Sequence, residues 1–132
     1  MLEVLIAKEN IRDLLARYCL YIDTHEYRKF AELFILDGEW TFGPTQASGV
    51  DDIERLMIER VPSEGPASKF KHLITNMLID VDGDQASATM IFLVVRPSEA
   101  EIVLALAGTY NCRMVCAGGR WFFRDVVVHS AT

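Results

Sequence analysis

Apolar residues in the first quarter of the chain recur with the period of a helix. Between Asn10 and Asp23, Ile11, Leu14, Leu15, Tyr18, Cys19 and Ile22 stand at i, i+3, i+4, i+7, i+8 and i+11, the spacing of one amphipathic face. A second, shorter helix is predicted over Glu26 to Phe34, with Tyr27, Phe30, Ala31 and Phe34 on its buried side. It ends before Leu36-Asp37-Gly38, where Gly38 can supply a positive φ. The segment "EWTF" at 39–42 then reads as a brief strand. Asp51, followed three residues later by Glu54, has capping-box form and introduces a third helix over "DIERLMIERV", which must stop before Pro62. The segment "PSEGPAS" after it reads as a mobile loop.

From Lys69 onward the texture changes. Long β-branched and aromatic runs are separated by "DGD" at 82–84, "RPSEAE" at 96–101 and "AGG" at 117–119, which predicts four strands in an antiparallel meander. Helices first and a sheet afterwards define an α+β fold, with the helices covering one face of a curved sheet. Strands curled around an amphipathic helix leave a concave, mostly apolar pocket of the kind small ligands use.

Polar residues that point into such a pocket are the candidates for chemistry. On the strand beginning at Lys69, period-two alternation puts Phe70, His72, Ile74, Asn76 and Leu78 on one face and Lys71, Leu73, Thr75, Met77 and Ile79 on the other. His72 is either a satisfied core or edge histidine or a pocket base; Asn76 is either a structural amide or a substrate ligand. Asp23 falls at the margin of the first helix's apolar stripe. Asp23-Thr24-His25-Glu26 also has capping-box form, so Asp23 is a cap for the second helix or a pocket carboxylate at an unfavourable helix pole. Tyr18 lies mid-stripe, where its ring packs as core and its hydroxyl still needs a partner. Gly108, inside a strand, groups with Leu106, Tyr110, Cys112 and Met114 and marks a bulge or a close approach by a ligand; Tyr110 either packs or lines the pocket. His25 and His129 read as surface residues.

Composition narrows the classes. The 132 residues, 51% hydrophobic and 24% charged, make one domain over 1–132 that needs neither metal nor disulfide to fold. A net charge of -6 argues against a nucleic-acid partner. No apolar run reaches the roughly 18 residues of a membrane span, and "MLEVLIAK" fails as a secretory signal, so no membrane association and a cytoplasmic location are expected. Cys19, Cys112 and Cys116 sit in no ligand spacing and read as small buried hydrophobes. No phosphate loop, nucleophile elbow or zinc-binding helix occurs, so no metal or cofactor is expected and catalysis rests on His, Asp and Tyr. In "RWFFRDVVV", alternation sets Phe122, Val126 and Val128 against Trp121, Phe123 and Val127. Apolar residues on both faces predict self-association.

With these residues in place, the chain resembles the SnoaL-like branch of the nuclear-transport-factor-2-like (NTF2-like) superfamily over nearly its whole length. The resemblance is carried by "IRDLLARYCLYIDTHEYRKFAELFILDGEW", "SGVDDIERLM", "KHLITNMLIDVDGDQASATMIFLVV" and "AGTYNCRMVCAGGRWFFRDVVV". It implies a cone-shaped α+β barrel, N-terminal helices packed on a curved, mostly antiparallel sheet, around one deep pocket for a small hydrophobic molecule. It also implies a homodimer or homotrimer. Asp23 and His72 match the helix-end aspartate and strand-opening histidine of scytalone dehydratase, hexachlorocyclohexane dehydrochlorinase and bile-acid 7α-dehydratase. Tyr18 resembles the tyrosine that accompanies the pair in the bile-acid enzyme. Ile22 and Phe42 stand where the scytalone enzyme has tyrosines, so scytalone is not the expected substrate. The resemblance implies a dehydratase-type lyase with His72, Asp23 and Tyr18 catalytic, and Asn76, Tyr110, Phe42 and Trp40 lining the substrate pocket. The alternatives are a ketosteroid-isomerase or polyketide-cyclase type of enzyme, and a non-catalytic binding or accessory subunit.

Overall fold

The computed structural model describes residues 1–131. Three helices, α1 (Leu2–Asp23), α2 (Tyr27–Ala31) and α3 (Val50–Arg60), pack on one six-stranded sheet. Its strands are β1 (Phe34–Phe42), β2 (Thr45–Ser48), β3 (Lys71–Asp82), β4 (Gln85–Pro97), β5 (Ile102–Ala117) and β6 (Arg120–Ser130). The spatial order is β2-β1-β6-β5-β4-β3, antiparallel throughout except for the parallel pair β1 and β6. The α+β architecture and the four-strand meander are as the sequence predicts.

Helix α1 buries the six stripe residues, Ile11, Leu14, Leu15, Tyr18, Cys19 and Ile22. At about 1.5–3 kcal/mol for each large apolar side chain, this stripe is a major part of the driving force that fixes the helix on the sheet. The helix begins earlier than the stripe, with Leu2, Leu5 and Ile6 exposed, because propagation from a formed turn needs no buried face.

Several local expectations fail for identifiable reasons. Helix α2 stops at Ala31, and Phe34 opens β1, because Leu33 and Phe34 are drawn into pairing with β6: the Phe123 amide donates to the Leu33 carbonyl at 2.8 Å. Gly38 therefore lies inside a strand and not at a left-handed helix end. It is needed because a Cβ there would sit 3.0 Å from the Phe34 Cβ and 3.1 Å from the Ile35 carbonyl oxygen. Helix α3 starts after Gly49 with no side-chain cap. Asp51 instead accepts from Arg28 at 2.8 Å, tying α3 to α2. Strand β2 was not predicted, and a 3-10 turn at Pro66–Lys69 leads from the 62–68 loop to β3.

Bulges break the period-two reading at the points that matter. Between Thr75 and Leu78 the β3–β4 register shifts, and Asn76 adopts a positive φ of 55°. One extra residue flips side-chain parity: His72 and Ile74 face inward before the bulge, Met77, Ile79 and Val81 after it, while Asn76 and Leu78 are exposed. In β6, Arg124 is the extra residue between Phe123 and Asp125. Trp121, Phe123, Val126 and Val128 consequently share the buried face, rather than dividing between two faces, and Phe122 and Val127 are half-buried. A third shift in β5 isolates Ala105. These bulges curve the sheet around α1 and leave a cavity at one end.

Candidate active site

The cavity, of about 770 Å³, lies between the concave face of the sheet, the end of α1 and the end of α3. Its inner wall is apolar and buried, with Phe30, Phe92, Val94, Tyr110 and Val128. Its rim is partly exposed and comes from the β1–β2 turn, the last turn of α3 and the 3-10 turn. Its size and apolar lining are those of a small-molecule site. A larger depression of about 1070 Å³ lies outside, beside α2 and α3; it holds Arg28 with its partners Glu32 and Asp51 and none of the catalytic candidates.

Asp23, the last residue of α1, and His72, the second residue of β3, meet at the cavity wall. His72 Nδ1 lies 2.7 Å from Asp23 Oδ1, and the His72 backbone N–H donates to both carboxylate oxygens at 3.1 Å. The two side chains are only 18% and 9% exposed. An ionised carboxylate can only accept, so Nδ1 carries the proton in the neutral ring and Nε2 is left with a free lone pair. Nε2 has no hydrogen-bond partner among the described residues. The capping alternative for Asp23 is overturned: α2 has no side-chain cap bond, and the carboxylate that stands at the unfavourable end of α1 is instead satisfied by two donors from His72.

Tyr18 is buried on α1 and packs edge-on against Tyr110 and Phe123, with centroids 5.3 and 5.6 Å away. Trp40 Nε1 donates to its hydroxyl at 2.9 Å. An indole N–H can only donate, so the Tyr18 oxygen is the acceptor of that bond, and a second hydrogen bond joins the Tyr18 and Tyr110 hydroxyls. Burial pushes the Tyr18 phenol well above its usual range, against the opposing pull of the Trp40 bond, so it remains a donor. Tyr110 is raised by burial too, and stacks on Phe92 at 4.3 Å. Burial, followed by the Asp23 charge, pushes Cys19 up to about 12.

The structure thus brings His72, Asp23, Tyr18, Tyr110, Trp40 and Phe42 to one cavity and leaves out Asn76, whose exposed side chain accepts from Thr75 Oγ1 at 3.0 Å on the bulge. Gly108 answers a close approach, but by protein: a Cβ would meet the Phe92 ring at 2.7 Å and the His129 carbonyl oxygen at 2.0 Å. His25 and Arg60 line the cavity as well and were not singled out from sequence. Arg60 had a signal, since it follows the buried Ile53 and Met57 at i+7 and i+3 on one face of α3. His25 had none, because its left-handed φ of 61° turns the chain where the local sequence shows only a polar turn.

Fold and site together define an α+β protein of the NTF2-like type, with three helices packed on a curved six-stranded sheet around an apolar cavity. The SnoaL-like domain family matches residues 3–127, and the chain belongs to that family. Among solved structures, an Mycobacterium tuberculosis protein of unknown function, Rv3472, in an aspartate-to-asparagine variant, is 27% identical, covers 97% of this chain and 73% of its own, and superposes with a TM-score of 0.86. An NTF2-like protein with a cystatin-like fold from Novosphingobium aromaticivorans is 22% identical over 98% of this chain and 85% of its own, with a TM-score of 0.85. A candidate scytalone dehydratase from the same organism is 21% identical over 100% and 89%, with a TM-score of 0.82. The last two show the fold alone. No curated protein matches the chain. No helix among the described residues is long and apolar enough to cross a membrane.

Proposed function

We propose that this chain is a small-molecule lyase that removes water from a β-hydroxy carbonyl compound with an alicyclic, steroid-like or polyketide-like skeleton. The observation that carries the reading is the 2.7 Å contact between His72 Nδ1 and Asp23 Oδ1 on the wall of an apolar cavity, with Nε2 unpartnered among the described residues. Nε2 takes the proton α to the carbonyl, and the C–H electron pair moves into an enolate whose oxygen accepts from the Tyr18 hydroxyl. Asp23 balances the imidazolium that forms. The enolate then re-forms the carbonyl as the β carbon–oxygen bond breaks, and the imidazolium returns its proton to the leaving hydroxyl. The products are an α,β-unsaturated carbonyl and water, and His72 is again neutral. The step needs no oxidant and no other group.

The test is an assay of cyclic β-hydroxy ketones for the ultraviolet absorbance of a conjugated enone, with wild type and His72→Ala. Enone formation by wild type, and its loss in a variant that melts near the wild-type temperature, is the expected result. Migration of a double bond or ring closure without release of water would assign the same dyad to an isomerase or cyclase. Binding without any turnover would assign the cavity to a carrier or accessory role.

A further inference from the structure

The cavity's rim carries a charge that the elimination does not use. Arg60, in the last turn of α3, lines the cavity mouth and reaches across to the β1–β2 hairpin, where its Nη2 donates to Thr45 Oγ1 at 3.4 Å. A cation in a last helical turn is favourable in any orientation. This one is directed by its position on the Ile53–Met57 face, which is the face α3 turns toward the interior. Its guanidinium forms no ion pair with any carboxylate among the described residues, although acidic side chains outnumber basic ones by 19 to 13 in the chain. Arg28 and Arg55 on neighbouring surfaces do hold acidic partners. Of the side chains lining the cavity, Arg60 alone is cationic at any ordinary pH.

We infer that Arg60 is a specificity-determining residue that holds a carboxylate carried by the substrate at the mouth of the cavity, while the remainder of the molecule lies along the apolar wall toward His72. The inference rests on the cavity being a substrate site, as the lyase reading requires. A guanidinium matches a carboxylate in charge and in its planar fork, and a single weak contact with Thr45 leaves its remaining N–H groups available. Electrostatics make the effect directional. Without Arg60, the Asp23 carboxylate inside and the net charge of -6 would both disfavour an anion relative to its neutral ester.

The test compares binding of 2-naphthoic acid and methyl 2-naphthoate by calorimetry, in wild type, Arg60→Gln and His72→Ala, with melting temperatures recorded for each. Arg60 is exposed, so its replacement is expected to leave the fold intact. Wild type should prefer the acid by on the order of tenfold. Arg60→Gln should abolish or reverse that preference with ester affinity unchanged, and His72→Ala should retain it. Equal binding of the two compounds to wild type, persistence of the preference in Arg60→Gln, or binding of neither compound would overturn the inference. The preference involves no proton transfer. An acid preference without lyase activity therefore removes the dehydratase reading alone, and lyase activity without an acid preference removes the Arg60 reading alone.

Discussion

Asp23 grips His72 at two points, the imidazole Nδ1 at 2.7 Å and the backbone N–H at 3.1 Å, and so joins the end of α1 to the start of β3. One carboxylate both ties the start of the strand to the helix and sets which ring nitrogen carries the proton. Asp23→Asn separates these tasks. The amide oxygen can still accept from the backbone, so the melting temperature should fall only modestly. The balance for an imidazolium is lost, so turnover should drop by about 100-fold or more. Enone-forming kinetics beside a thermal melt would check both, and full activity would contradict the role given to Asp23.

In the proposed elimination, Trp40 is a positioning residue that acts through Tyr18. Its N–H donates to the phenol oxygen at 2.9 Å and, with the Tyr110 hydroxyl, fixes the orientation of the Tyr18 hydroxyl. Trp40→Phe should keep much of the apolar contact while freeing Tyr18 to turn its proton elsewhere. The expected signature is a fall in kcat of roughly tenfold with KM little changed, whereas loss of mere pocket wall would raise KM instead.

Gly108 should be among the least tolerant positions in the sheet. A Cβ there would stand 2.0 Å from the His129 carbonyl oxygen and 2.7 Å from the Phe92 ring, which itself stacks on Tyr110. Gly108→Ala should destabilise by about 3 kcal/mol or more, at the upper end of overpacking effects, measurable by urea unfolding. It should also disturb the cavity wall through Phe92.

Alkaline pH should weaken the fold. The Cys19 thiol ionises near 9.0 when exposed and only near 12 in the folded protein. Above pH 9.0 the unfolded chain therefore releases a proton that the native state retains, so this contribution is fully present below that pH and lost as pH rises toward 12. Buried Tyr18 and Tyr110 act in the same direction. Denaturant midpoints should fall steadily across this window, with a shallower slope in Cys19→Ala. A midpoint independent of alkaline pH would contradict the burial of these groups.

Much of this was legible in the chain where a single physical rule governed. The 3.6-residue stripe of α1 named all six of its buried residues and ran on to Asp23 at the helix end, whereas the strand expected from Lys69 begins at Lys71, and the strand-opening place of His72 came with the family resemblance. The pair itself needed the family resemblance, because 49 residues separate its members and no local pattern reports that closure. Asn76 and the β6 face were misread for one shared reason. Alternation holds only until a bulge, and Asn76 and Arg124 occupy bulges that tertiary curvature selects from residues able to tolerate them. Asn is among the side chains that enter the left-handed region most readily, which explains the residue type without making it a ligand. Arg60 interrupts an apolar face at helical spacing, a signal present in the sequence and hidden by its ordinary place at a helix C-terminus.

The most direct measurement of the central claim is the tautomer of His72, read from its imidazole nitrogen shifts by ¹⁵N–¹H NMR of the wild-type protein at mildly alkaline pH. The account predicts a neutral ring with Nδ1 protonated toward Asp23 and Nε2 bare, changed in Asp23→Asn. A proton on Nε2 in the neutral wild-type ring would contradict it, because Nε2 could not then act as the base.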